Sequence, residues 1–335
     1  MAILRRTVLL GGLTTLMAGC APAAPPKPQR IDGWGDFRTR FVQPDGRVID
    51  TGNRGISHTE SQGYGMLMAE AAHDRDGFER IYGWTQRTLA RQDDALYSWR
   101  YDPSLPVPVS DPNNATDGDI LIAWALMRAA QRWKVPAWRT RAAQIRTSIR
   151  LLLIRQRGRR TLLVPGLQGF LHPDRTTINL SYYIWPALDA FRQADGDAAW
   201  GPVIRDGEAL LTDARAGPLA LPTDWTDVFD DGRALPATGK DPYFGFDAIR
   251  IPLYLSLGGR PEMAPTIARF WHSYADQNRP IPAWVDVVTG ATAPYAVSEG
   301  GCAVVRRLLG SAAPPCAASG QPDYYASVLK TLATL

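Results

Sequence analysis

Along much of this chain apolar residues return every three to four positions, the spacing of one helix face. From Ile120 they recur at Ala123, Trp124 and Met127, in a stretch that runs on to Trp133. Met263, Ile267, Phe270, Trp271 and Tyr274 mark a second face, and Tyr325, Val328, Leu329 and Leu332 a third. Segments of this kind begin near His58, Gly77, Asp117, Pro136, Ser181, Asp197, Tyr243, Pro261, Val297 and Pro322. Pro261 and Pro322 stand where proline suits a first helical turn. Loops rich in Pro, Gly, Asp and aromatics, such as 101–114 and 221–241, separate the segments. The pattern predicts an all-α protein of ten or so helices, arranged as hairpins packed against one another.

Composition narrows the class. With 335 residues, 45% hydrophobic and 21% charged, the chain can bury one large core. No Ser/Gly-rich or charged linker divides its interior, so residues 31–335 read as one folded domain. Ahead of it, Arg5 and Arg6 precede an apolar run from Val8 to Ala18, too short to span a bilayer but suited to an export signal at 1–19. Leu16-Met17-Ala18-Gly19-Cys20 looks like a lipoprotein cleavage box with Cys20 as the lipidated residue. Residues 20–30 then serve as a Pro-rich tether. This reading places the mature chain in the periplasm, held to the membrane only through an N-terminal lipid. Without Arg5 and Arg6 the 37 basic residues fall to 35 against 33 acidic ones, leaving +2. The densest basic run, Arg155 to Arg160, reads as a solvated helix end with Gly158 as its cap. Nothing here is a nucleic-acid footprint. Cys302 and Cys316 can either bridge in an oxidising compartment or remain two buried thiols, and the bridge is the reading carried forward.

Three acidic segments hold the candidate chemistry. Ala115-Thr116-Asp117-Gly118-Asp119 opens the apolar helix that ends at Trp133. Its acids either cap that helix, with Asp117 or Thr116 at the cap and Asp119 in the first turn, or serve a site. His58-Thr59-Glu60-Ser61-Gln62-Gly63-Tyr64-Gly65 sets an acid before two glycines that permit close backbone packing or leave room for a ligand. Tyr243-Phe244-Gly245-Phe246-Asp247 embeds one Asp among aromatics, with Arg250 three residues on. Asp247 is either a buried ion pair with Arg250 or a proton-transfer group. Four histidines lack paired-ligand spacing, so no metal and no cofactor is expected. Asp224, Asp227, Asp230 and Asp231 lack calcium-hand spacing and read as a loop bordering a cleft. Asp189, Asp195 and Asp197 read as a solvated turn between helices.

The segment from Ala115 to Trp133 resembles the signature of glycoside hydrolase family 8, and the Glu60 and Asp247 segments resemble that family's other two active-site stretches, in order. Similarity extends from about Trp34 to about Tyr325. Within the family the chain is most similar to the single-domain endoglucanases that accompany bacterial cellulose synthase. The resemblance implies an (α/α)6 barrel with an active-site cleft at one end. It implies an inverting endo-β-1,4-glucanase acting on cellulose: Glu60 the general acid, kept protonated by burial and neighbouring carboxylates, Asp247 the base that activates water, and Asp117 gripping the sugar at the cleavage point. Xylan, chitosan or mixed-linkage glucan are other substrates that the family admits, and a catalytically idle glycan-binding lipoprotein is the alternative of another class. Ser61 stands where the family more often has Gly. Sugar rings stack on aromatic planes, and Tyr64, Trp99, Tyr182 and Tyr183, with Arg250, are the expected substrate contacts. A β-1,4-glucan chain, the cellulose synthase complex and no second copy are the expected partners.

Overall fold

A computed structural model describes residues 33–317 and 320–335, so the readings made on residues 1–30, including Cys20, lie outside the described residues. Among the described residues stand eleven helices, ten from the periodic segments and α1, which periodicity did not mark: α1 (Trp34–Phe41), α2 (Thr59–Ala71), α3 (Arg75–Leu89), α4 (Thr116–Trp133), α5 (Pro136–Leu152), α6 (Trp185–Asp195), α7 (Asp197–Asp213), α8 (Arg250–Leu257), α9 (Pro265–Asp276), α10 (Glu299–Leu309) and α11 (Tyr324–Leu332). Their starts follow local chemistry. Asp74, Ser298 and Asp323 each accept a backbone N–H from the first turn of α3, α10 and α11, and Pro136 opens α5.

Six helices make a closed inner ring, in which α2, α4, α6, α8, α10 and α11 pack in turn and α11 returns to α2. Outside it, α3, α5, α7 and α9 each pack on an inner neighbour, and α1 lies against α11 and α2. This is an (α/α)6 barrel. The burial pattern explains which helices are inside: twelve of the thirteen residues of α2 are buried, whereas α3 buries one face. Between α10 and α11, where an outer helix would stand, the chain runs through a 3-10 turn at Gly310–Ala312, and Cys316 is disulfide-bonded back to Cys302 on α10.

The loops carry strands that periodicity did not reveal. Short antiparallel pairs join β1 (Ser57–His58) to β2 (Arg100–Tyr101), β3 (Ile154–Arg157) to β4 (Arg160–Leu163) and β8 (Tyr243–Phe244) to β9 (Val285–Asp286). A three-stranded sheet has β6 (Thr226–Phe229) between β5 (Arg175–Ile178) and β7 (Ala234–Pro236). Arg155 to Arg160 is therefore a β-hairpin with Gly158 at φ +55° in its turn, not a helix end. Tyr243 opens a strand, and the helix expected there starts seven residues later at Arg250. Asp189 and Asp195 are not in a solvated turn either. Asp189 takes two bonds from Arg260, and Asp195 takes a bidentate pair from Arg146 and a third from Trp200.

Close helix contact brings the acidic segments together. A Cβ on Gly63 would come within 2.5 Å of Leu121 Cβ, and one on Gly118 within 2.1 Å of Thr59 Oγ1 and 2.8 Å of the Glu60 nitrogen. Gly118→Ala should therefore destabilise the fold by ~1–3 kcal/mol through overpacking. Gly35→Ala, where a Cβ meets nothing within 4 Å, should be neutral or stabilising by up to ~1 kcal/mol. Urea unfolding of both variants checks the contrast.

Candidate active site

The first turns of α2, α4, α8 and α11 open on one cavity of about 570 Å³. Glu60, Asp117, Asp247 and Arg250 line it together with Trp99 and Tyr182. Glu60 is held at the start of α2 by a capping box in which Ser61 N–H donates to His58 Nδ1 at 3.1 Å and His58 N–H donates to Ser61 Oγ at 3.0 Å. Ser61 thus works as a capping side chain and leaves α2 regular. One turn on, the Tyr64 hydroxyl donates to Glu60 Oε1 at 3.2 Å, and it shares a 2.6 Å hydrogen bond with Tyr254.

Asp117 does not cap α4, nor does Thr116. The cap position is Ala115, and Thr116 Oγ1 donates instead to the Val164 carbonyl. Asp119 is buried as a structural acceptor for the Tyr97 N–H and the Asn114 amide, at 3.0 and 2.8 Å. Asp117 alone turns to the cavity, with Arg250 Nη1 3.8 Å away. Burial pushes its carboxyl up to about 6, against the opposing pull of the Gly118 N–H and His58.

Asp247 sits in the turn before α8, with 31% of its side chain exposed to the cleft and Arg250 Nη2 2.5 Å from Oδ1. The ion pair with Arg250 is formed, and it lies inside the site rather than away from it. Burial, then the negative charges of Asp224 and Asp117, push its carboxyl well above the ordinary range, while the Asn179 amide and Lys240 pull the other way. Arg250 is the centre of the arrangement. Its guanidinium contacts Glu60 and Asp247, approaches Asp117, and donates to Ser181 Oγ at 3.0 Å and Tyr64 Oη at 3.4 Å.

The aromatic contacts divide. Trp99 lines the cleft because its carbonyl accepts the Thr59 N–H at 2.9 Å, and its indole donates to Asp111. Tyr182 lines it too, with its ring edge on Trp225, which stacks in turn on Phe170 at 5.7 Å and 5°. Tyr64 and Tyr183 are both 0% exposed and line no part of the cavity. Tyr64 supports Glu60 and Arg250 from beneath. Tyr183 accepts the Leu163 N–H and packs over Gly207. Neither can touch substrate. Sequence reasoning passed over Phe246, which is 55% exposed, and Tyr325, whose hydroxyl donates to the Phe246 carbonyl. Tyr325 had been read as part of an apolar face; its place in the first turn of a helix, behind the cap Asp323, was the available signal.

Three carboxylates, one arginine and flat aromatic walls in an open groove are a carbohydrate site in outline. The family model for glycosyl hydrolases family 8 matches residues 1–335. The chain belongs to glycoside hydrolase family 8. It is 39% identical over 300 residues to an endoglucanase of Cellulomonas uda, covering 89% of this chain and 83% of that one. It is 38% identical to a probable endoglucanase of Novacetimonas hansenii, covering 96% and 95%. The crystal structure of endoglucanase Cel10, a family 8 glycosyl hydrolase from Klebsiella pneumoniae, matches it with a TM-score of 0.85 at 39% identity, covering 90% of this chain and 97% of that one. As a member of family 8 the protein is a glycoside hydrolase, an enzyme that cleaves glycosidic bonds.

The raised Asp117 carboxyl has a consequence for stability. Its pKa is 3.8 unperturbed and about 6 when folded, so the folded chain keeps this proton longer than the unfolded chain does. Its contribution to stability therefore falls as pH rises from about 4 to about 6 and stays low above that. Asp117→Asn should be more stable than the parent at pH 7, by ~1–3 kcal/mol at most, and the gap should close by pH 4. Thermal melting of both proteins across that range checks the sign.

Proposed function

We propose that this family 8 hydrolase is an endo-β-1,4-glucanase that cleaves cellulose chains with inversion, in the course of bacterial cellulose production. The observation that carries the reading is the meeting of Glu60, Asp117 and Asp247 on Arg250 at the floor of an open groove. An open groove accepts the middle of a chain, as endo-cleavage requires. Glu60 donates its proton to the leaving glycosidic oxygen, supported by Tyr64. Asp247 takes a proton from the attacking water, and Arg250 fixes the orientation of its carboxylate. Asp117 grips the sugar ring at the cleavage point through its hydroxyls as the ring flattens. Trp99 and Tyr182 offer flat faces to neighbouring sugars. The endoglucanase names of the relatives favour glucan over xylan or chitosan.

Glu60→Gln keeps shape and hydrogen bonding but has no proton to donate, so turnover on carboxymethyl-cellulose should fall by at least ~10²-fold while the fold survives. In the same assay, proton NMR of the parent's earliest product should show the α anomer. Early β product sinks the inverting assignment, and a Glu60→Gln variant with most of its activity removes Glu60 from the mechanism. Comparing reducing-end release from β-glucans, xylan and chitosan tests the choice of sugar.

For location, we propose a periplasmic enzyme anchored by a lipid on Cys20, working beside the cellulose synthase complex. Arg5-Arg6, the apolar run from Val8 to Ala18 and the box ending at Cys20 support this. In its own host the parent should fractionate with membranes, and Cys20→Ser should not be processed at that residue. Mass spectrometry of the native N-terminus decides: an unmodified start beyond Cys20 would mean a chain without a lipid anchor.

A further inference from the structure

Asp224 lies in the 221–241 loop, well before the turn that holds Asp247, yet the two are built around each other. Asp224 Oδ1 accepts three backbone N–H groups of that turn, from Gly245 at 3.1 Å, Asp247 at 3.2 Å and Ala248 at 2.7 Å. The Asp224 N–H in turn donates to the Tyr243 carbonyl at 2.7 Å. The turn has room for this carboxylate because residue 245 is glycine; a Cβ there would come within 2.8 Å of Asp224 Oδ2. Three N–H groups could be satisfied equally well by the carbonyl of an asparagine. A second acid buried this close to Asp247 costs desolvation that the clamp does not require.

We propose that Asp224 is a positioning residue for Asp247: its carboxylate clamps the turn that carries the base and presses a second negative charge against it. The proposal rests on Asp247 being the base. The groups facing Asp247 are Asp224 and Lys240 from the 221–241 loop, Asp117 from α4, Arg250 from α8, and the hydroxyls of Tyr182 and Tyr325. Arg250 is shared with Glu60 and Asp117, so its neutralising effect on Asp247 is divided. Asp224 is the like charge that acts most strongly on Asp247. A carboxylate pressed by another is a stronger base, which suits it to draw a proton from water.

The test is the pH profile of kcat/KM on soluble carboxymethyl-cellulose for the parent, Asp224→Asn and Asp247→Asn. Asparagine at 224 keeps the acceptor for all three N–H groups and removes the charge. Its melting temperature should stay near the parent's, its KM should change little, and its plateau kcat should fall several-fold. The limb on which activity rises with pH should move to lower pH by about one unit, because the remaining carboxyl loses its like-charged neighbour. A limb that does not move overturns the proposal, since a purely structural clamp would leave it in place. Asp247→Asn separates the two failures: if it stays active, the base assignment falls; if it is inactive while the Asp224→Asn limb is unmoved, the present inference alone falls. Should Asp224→Asn fail to fold, Gly245→Ala carries the test by pushing the carboxylate off the turn. The same downward shift supports the proposal and an unmoved limb overturns it.

Discussion

The contact between Gly118 on α4 and Thr59 and Glu60 on α2 determines how close two of the site's carboxylates can come, because each helix presents its acid from the first turn. With no side chain at 118, the α4 backbone lies against the start of α2. Gly63 repeats the arrangement a turn further on, against Leu121. Both glycines cost helix propensity, and the fold offsets this with burial: α2 and α4 are covered on nearly every side. The ring then has little freedom in where it sets Glu60 and Asp117. An (α/α)6 barrel places the N-termini of its inner helices at one end, where the partial positive charge of each terminus favours acids. The cleft lies there because that end of the barrel can hold carboxylates.

Holding four of them is still costly. Glu60, Asp117 and Asp247 share Arg250, and Lys240 adds its pull on Asp247, so these two cations do not neutralise the four buried or half-buried acids. The excess appears as raised proton affinity at Asp117, Asp224 and Asp247, burial being the largest cause in each. Carboxyls whose proton affinity is raised toward neutrality are suited to exchange protons there, the condition that acid and base catalysis work under. The hydroxyls of Tyr64 and Tyr254 sit beneath the site as a buried, hydrogen-bonded floor. The cost is local to the acids of the cleft, as expected where stability is given up for function.

Much of this was legible in the residues. The helix faces of α4, α9 and α11 could be read from periodicity, because burial of one face imposes the pattern directly. The three acidic segments were legible as candidates only together, since a single acid at a helix start reads equally well as a cap. The division of the tyrosines was not. Tyr64 and Tyr183 stand next to site residues in sequence, but which side of the backbone a ring leaves by depends on helix rotation and on an approach such as that of Gly207 to Tyr183. Asp224 was hidden for a similar reason. Its partners are backbone N–H groups some twenty residues away, which leave no trace in side-chain pattern. The short strands escaped because pairs of two to four residues carry too few positions to show alternation.

The barrel's irregularity bears on the same site. Every other pair of successive inner helices is joined through an outer helix, but between α10 and α11 the described residues hold only the 3-10 turn at Gly310–Ala312, and the Cys302–Cys316 bridge ties this stretch to α10. A cross-link closing a short loop removes conformational freedom from the unfolded chain. It does so where no outer helix stands among the described residues, Ala313 and Cys316 packing against the core instead. The strap leads into α11, whose first turn carries Tyr325 to the carbonyl of Phe246, the residue before Asp247. The wall of the cleft beside Asp247 thus hangs on α11, which is packed by α10 on one side and by α1 on another. Such a bridge persists in an oxidising compartment, which agrees with the periplasmic location proposed for this enzyme.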